Sequence, residues 1–192
     1  MKWFIASDIH GSAYYCDLMI RRFQAEKADR MILLGDILYH GPRNDLPEEY
    51  APKKVIEQLS AYADRILCVR GNCEAEVDQM VLPFPVLAEY ALMDLGRSLL
   101  FITHGHVYHK NHLPPLHAGD ILLHGHTHIP VCMEQDGIMI MNPGSVSIPK
   151  EDSWHGYMVL ENGVFRWKDL DGNEKMNWES CTAMKQIILI SN

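Results

Sequence analysis

The sequence predicts an α/β protein in which two β-sheets pack face to face with helices on the outside. Three observations lead there. Short apolar runs alternate with helix-like stretches through the first half, a βαβαβ order that implies a parallel sheet with helix cover. The second half changes to closely spaced strand-like runs separated by turn residues, which implies a second sheet. With 192 residues, 47% apolar and 22% charged, the chain can bury a proper core as one domain.

Taken in order, Lys2–Ala6 reads as a strand and residues 12–25 as a helix with Ser12 as its N-cap. Residues 31–34 form a second buried strand. Residues 51–63 read as a helix, with Val55, Ile56, Leu59 and Tyr62 on one face. Residues 66–69 form a third strand. Residues 86–93 and 98–103 flank an Asp94-Leu95-Gly96-Arg97 turn and read as a hairpin. Strands follow at 120–123, 131–134, 138–141, 156–160 and 164–168, with turns at Asp136-Gly137, Asn162-Gly163 and Asp171-Gly172. Residues 44–52, rich in Pro and acidic side chains, form a surface loop. The domain is expected over residues 1–175, with 176–192 as a C-terminal tail of unassigned structure that includes Ile187-Ile188-Leu189-Ile190.

Charge and cysteine usage narrow the function classes. The net charge is −8, and no run of Lys and Arg supplies a basic patch, so a long nucleic acid is not the expected partner. The five cysteines are odd in number and match no zinc or disulfide framework, which points to a reducing, cytoplasmic setting. The apolar run at residues 3–6 is too short for a signal peptide, and none approaches the roughly 20 residues that cross a bilayer. No membrane partner is expected.

The informative pattern lies at the strand ends. Trp3-Phe4-Ile5-Ala6-Ser7 runs into Asp8 and His10, and Met31-Ile32-Leu33-Leu34-Gly35 into Asp36. The run ending in Gly71 leads to Asn72, the run ending in Thr103 to His104 and His106, and the run ending in His124-Gly125 to His126 and His128. Strand C-termini of an α/β sheet converge on one crevice, where ligands bind. Adjacent glycines let the backbone approach a ligand closely. A single His or Asp after a strand is ordinarily a solvated or turn residue; repetition at five strand ends is what points to one site. The mixed O/N set suits manganese, iron, zinc or cobalt better than calcium.

Asp8-Ile9-His10, Gly35-Asp36, Gly71-Asn72, His104-Gly105-His106 and Gly125-His126-Thr127-His128 occur in an order that resembles the calcineurin-like metallophosphoesterases. The small size, Gly71-Asn72-Cys73-Glu74 and Asn142-Pro143-Gly144-Ser145 look most like the small bacterial YfcE-type phosphodiesterases. The resemblance implies a four-layer αββα sandwich of two mixed sheets, with the site at the strand C-terminal ends. It implies a phosphoric ester hydrolase holding two divalent ions, manganese first, with zinc, iron, nickel or cobalt as alternatives. Asp8, His10, Asp36 and His128 would hold the first ion; Asp36, Asn72, His104 and His126 the second, with Asp36 bridging. Asp36, Asn72 and His104 would also serve the chemistry. His106 and His124 have no ligand role in that scheme.

Two metals roughly 3.5–4 Å apart make hydroxide available near neutral pH and neutralise charge developing on phosphate, so no protein nucleophile is needed. Ser7 and Ser12 are accordingly read as turn and cap residues. One position departs from the larger relatives, which carry a His after the Gly-Asn pair. Cys73 stands there, as a weakened catalytic position or a simple turn residue, so modest turnover and leaving groups of low pKa are expected. Asn72 and Arg43 are the expected substrate contacts, Arg43 because its fork matches phosphate; a solvated loop charge is the equal alternative. Tyr14, Tyr39 and Tyr108 could line the cleft. The expected partner is a small phosphodiester or phosphomonoester. The alternatives are a nuclease and a protein-binding scaffold of the same fold. Open strand edges leave a homo-oligomer possible.

Overall fold

The protein is described from a computed structural model covering residues 1–180. In chain order the elements are β1 (Lys2–Ala6), α1 (Ala13–Ala25), β2 (Arg30–Leu33), α2 (Pro52–Ser60), β3 (Ile66–Cys68) and α3 (Glu76–Val81). Then follow β4 (Ala91–Asp94), β5 (Leu99–Ile102), β6 (Ile121–Leu123), β7 (Pro130–Gln135), β8 (Ile138–Pro143), β9 (Gly156–Glu161), β10 (Val164–Asp169) and β11 (Glu174–Glu179). The strands form two mixed sheets, ordered β11-β10-β9-β1-β2-β3 and β4-β5-β6-β8-β7.

Strands β1, β2 and β3 are parallel, with Ile5 opposite Ile32 and Ile32 opposite Leu67. They are continuously apolar because both their faces are buried. Phe4, Ala6, Met31 and Leu33 face Cys16, Met19 and Phe23 of α1 and Val55 and Leu59 of α2. Ile5, Ile32 and Leu34 turn the other way and pack against Leu100, Ile102, Ile121, Leu123 and Met141 of the second sheet. The period of two along each strand therefore builds two separate cores. Ser12 caps α1 as expected, its hydroxyl accepting from the Tyr15 amide at 3.2 Å.

The expected sandwich is present, with helices over the first sheet. Over the second, Tyr108, Leu113 and Leu116 from the segment between β5 and β6 cover Phe101, Leu122, Ile138 and Ile140. That segment contains no helix; Pro114 and Pro115 remove two consecutive backbone donors. The sheets are stitched beside the site, where the buried Trp167 indole donates to the Asn142 carbonyl at 2.6 Å.

Three segments differ from expectation. The strand expected over 86–93 begins only at Ala91, because Val86 is buried in the helix-side core and the chain then crosses to the second sheet. Helix α3 was not expected; it buries none of its residues, so no 3.6-residue apolar stripe marks it. Strand β11 carries the first sheet past residue 175, where the domain was expected to end, with Met176 and Trp178 packed on the inter-sheet core. Cys181 and the apolar run at 187–190 lie outside the described residues. Among the described residues no helix is long and apolar enough to cross a membrane.

Candidate metal centre

Five of the predicted side chains sit on residues with positive φ: Asp8 at 59°, His10 at 50°, Asp36 at 53°, His126 at 67° and His128 at 62°. Left-handed backbone at a non-glycine residue costs about 1–3 kcal/mol and persists where the surroundings impose it. Here it has a geometric consequence. In a strand, Asp8 and His10 would alternate like any i, i+2 pair, whereas these turns direct both side chains, and likewise His126 and His128, into one crevice. Glycines complete the approach: a Cβ at Gly71 would overlap Asp36 Oδ1, and one at Gly125 would overlap Ser7 Oγ.

All seven predicted ligands converge. Asp8 Oδ1 lies 3.5 Å from His10 Nε2 and 3.3 Å from His128 Nε2, and the two Nε2 atoms are 3.3 Å apart. Asp36 Oδ2 lies 3.7 Å from His10 Nε2 and 3.5 Å from His104 Nε2. His104 Nε2 is 3.2 Å from both Asn72 Oδ1 and His126 Nδ1. Two groups of donor atoms result, Asp8-His10-His128 and Asp36-His104-His126, and a third, His10-Asp36-Cys73, overlaps them.

The donor set fits divalent cations. His10, His104 and His128 each place Nδ1 against a backbone carbonyl, of Tyr39 at 2.8 Å, Leu34 at 2.6 Å and Ile148 at 2.8 Å. With Nδ1 on its carbonyl, Nε2 is the nitrogen that faces the centre, and it becomes a bare lone pair once its proton leaves, the usual arrangement of a ligating imidazole. Asp8 Oδ1 is buried and has no hydrogen-bond partner among the described residues. A buried carboxylate oxygen facing two imidazole nitrogens calls for positive charge, from a cation or from protons on those rings. Protons on the rings supply that charge when no cation is bound. Burial opposes charge on Asp8, yet its imidazole neighbours hold the carboxyl well below its ordinary range. Burial likewise depresses His104, but Asp36 and Asp8 overcome it and push the imidazole up to about 9. Burial, then the His104 charge, lowers His126 to about 4, leaving its ring neutral.

Several residues organise the centre in ways the sequence reading did not assign to them. Glu74, 4% exposed, accepts from the backbone amides of Asp36 at 2.9 Å, Ile37 at 2.8 Å and Gly71 at 2.5 Å, tying the β2 and β3 loops together. Burial and the Asp36 charge raise its carboxyl above the ordinary range. Ser7 donates to Asp8 Oδ2 at 2.6 Å, a tighter role than a turn residue. Ser145 and Ser147 both donate to the Asp8 carbonyl, at 2.8 and 3.0 Å. Asn142 holds the Gly125 carbonyl at 2.7 Å and Thr127 Oγ1 at 3.1 Å. Its strand end, β8, was legible as a sixth delivery point, but Asn-Pro-Gly reads as a turn.

Cys73 donates its thiol to Asp36 Oδ2 at 3.3 Å and its amide to Oδ1 at 2.9 Å. Burial and the Asp36 charge raise the thiol, so it stays protonated. Arg43 lines a cavity of about 360 Å³ together with Asp36, Asn72, Cys73, His128 and Lys150. His106 stands beside the centre, its ring 5.4 Å from that of His104, and His124 places Nδ1 3.0 Å from the Gly125 carbonyl. Tyr108 packs edge-on against Phe101 in the outer cluster, away from the ligands.

A model of the calcineurin-like phosphoesterase superfamily domain matches residues 1–163. The chain is 47% identical to Phosphodiesterase YfcE of Escherichia coli (strain K12) over 164 residues, 85% of this chain and 89% of that protein. It is 28% identical to the Probable metallophosphoesterase YsnB of Bacillus subtilis (strain 168) over 185 residues, 91% and 94% of the two chains. The solved structure of YfcE, a phosphoesterase from E. coli, superposes with a TM-score of 0.90 at 44% identity, covering 94% of this chain and all of that one. The chain belongs to the calcineurin-like phosphoesterase superfamily, a family of hydrolases.

Proposed function

We propose that the protein is a phosphodiesterase that works on a small phosphate diester with two divalent cations, manganese first among them. The observation that carries this reading is the shared position of Asp36, whose Oδ2 lies within 3.7 Å of His10 Nε2 and 3.5 Å of His104 Nε2. One carboxylate thereby joins two groups of donors. Asp8, His10, Asp36 and His128 would hold one ion, and Asp36, Asn72, His104 and His126 the other. Bound there, the cations supply an activated water and neutralise charge on the phosphate.

The chain's own residues do the rest. Asn72 and Arg43 orient the phosphate from the smaller cavity, Arg43 through its planar fork. Cys73 keeps Asp36 turned towards the donors but offers no readily transferred proton, which favours leaving groups of low pKa. A diester is favoured over a monoester because two cavities, of about 360 and 500 Å³, flank the wall formed by His126 and Thr127. Two substituents on one phosphorus have two places to go. The net charge of −8 speaks against a nuclease, and the complete donor set against a scaffold that has lost its chemistry. The cysteines Cys16, Cys68, Cys73 and Cys132 are free, which fits a reducing cytoplasm.

The test is hydrolysis of bis-p-nitrophenyl phosphate and p-nitrophenyl phosphate by chelator-stripped protein, with manganese, zinc, nickel or magnesium added back. Turnover is expected with the diester, manganese restoring it best. Asp36→Ala should lower it at least about 100-fold, since even residues outside a ligand set commonly contribute 10–100-fold. Folded protein inactive with every metal would sink the reading.

A further inference from the structure

The larger cavity, of about 500 Å³, is chemically unlike the smaller one. The smaller carries Arg43 and Lys150 beside Asp36, Asn72 and Cys73. The larger is lined by Ile129, Val131, Met133 and Ile140, with His106, His109 and His124 also at its wall and Lys110, Asn111 and Glu151 among its polar groups. Val131 and Ile140 belong to the outer cluster of the second sheet, so the cavity takes in part of that sheet's apolar face. Met133 is 38% exposed. The His106 ring is only partly buried at this wall, 6.2 Å from that of His126.

A concave apolar surface with a few polar groups is how ligand sites are built, and its size is in the usual range of 300–1,000 Å³. Three imidazole rings and a thioether favour a flat π-system over a branched alkyl group, because imidazole faces stack and methionine sulfur packs against aromatic edges. Phosphate binding alone would need neither.

We infer that this cavity takes an aromatic arm of the substrate, a ring of phenyl or nucleobase size, while the second arm faces Arg43 and Lys150. The inference rests on the phosphoesterase reading above, and names the class of ester: an aryl or heteroaryl diester in preference to a dialkyl one. Val131 and Met133 are specificity-determining residues and belong to neither donor group.

Binding separates the two ideas. Manganese-loaded protein is titrated calorimetrically with diphenyl phosphate and with dimethyl phosphate, for the wild type, Val131→Trp and Met133→Glu. Wild type is expected to bind the diphenyl ester about ten-fold tighter, the scale set by burying one ring face. Val131→Trp fills the cavity and Met133→Glu charges its lining; each should reduce the preference to within about two-fold. Met133→Glu alters a half-exposed strand position and keeps the test available if the tryptophan variant misfolds. Equal binding of the two esters, binding of neither, or a preference untouched by both substitutions overturns the inference. Hydrolysis of bis-p-nitrophenyl phosphate by the same preparations reports on the enzyme reading separately. An aryl preference without turnover sinks the hydrolase and keeps the site. Turnover without an aryl preference does the reverse.

Discussion

His10 and His128 face one another across 3.3 Å through their Nε2 atoms, while each ring's Nδ1 rests on a backbone carbonyl. Once both Nε2 atoms are deprotonated, their lone pairs and the buried Asp8 Oδ1 beside them repel unless a cation lies between. A bound cation can therefore take the place of those ring protons and hold the cluster together. Metal binding should therefore stabilise the fold as well as activate it. At a hundredfold excess over Kd the gain is about 2.7 kcal/mol, which for a domain of this size raises Tm by about 5–11 °C. Thermal melts after chelator treatment and after adding manganese measure it; an unchanged Tm with saturating metal would contradict the centre.

Glu74 acts at one remove. Its carboxylate takes three backbone amides from two loops. Glu74→Gln keeps the size but turns an amide NH2 towards one of those N–H groups. Metal affinity should fall about 10–100-fold, the usual effect of losing a supporting partner. Stability should fall by about 1–3 kcal/mol as a buried donor goes unpaired. Manganese titration and denaturant unfolding read the two effects; an unaltered metal Kd would confine Glu74 to folding.

Cys73 lines the smaller cavity. Cys73→His would place an imidazole where the thiol now offers little acidity, and a positioned acid contributes about 10²–10⁴-fold on poor leaving groups. Turnover of a phenyl diester should rise more than that of a p-nitrophenyl diester. Steady-state rates on the two decide it, and equal or lower rates on both would remove Cys73 from the account of turnover.

Away from the centre, Glu26 binds Lys2 at 2.8 Å, Tyr157 at 3.0 Å and Lys168. Burial raises its carboxyl, but these partners outweigh burial and lower it to about 2 from an ordinary 4.5. A folded-state value below the unfolded one means the contribution is complete above pH 4.5 and is lost as pH falls towards 2. Glu26→Gln should flatten the acid limb of the stability curve in that window. Denaturant unfolding between pH 5 and pH 2 checks this, and a limb of unchanged steepness would assign acid sensitivity elsewhere.

The strand ends were legible because the chemistry there is local. Apolar runs stop at a polar donor, usually beside a glycine, in Asp8, Asp36, Asn72, His104 and His126, and a parallel topology brings such ends together. Helix α1 and its Ser12 cap were legible for the same reason, since cap and apolar period lie within one segment. Strand β11 carried a usable signal in the alternation of Met176 and Trp178, but charged neighbours masked it. Glu74 and Ser145 stood in motifs that marked the family but not their roles, because an acidic or hydroxyl residue in a loop looks the same whether it faces water or a backbone group across the crevice.

The sequence by itself determined the sandwich, the donor types and their order along the chain, since periodicity and residue chemistry are properties of short stretches. Only the tertiary structure decided which Asp8 oxygen faces the imidazoles, which imidazole nitrogens face the centre, and that two unlike cavities flank His126 and Thr127. Those are relationships among loops far apart in the chain. They are set by backbone turned left-handed at Asp8, His10, Asp36, His126 and His128, and by buried hydrogen bonds whose partners no local pattern names.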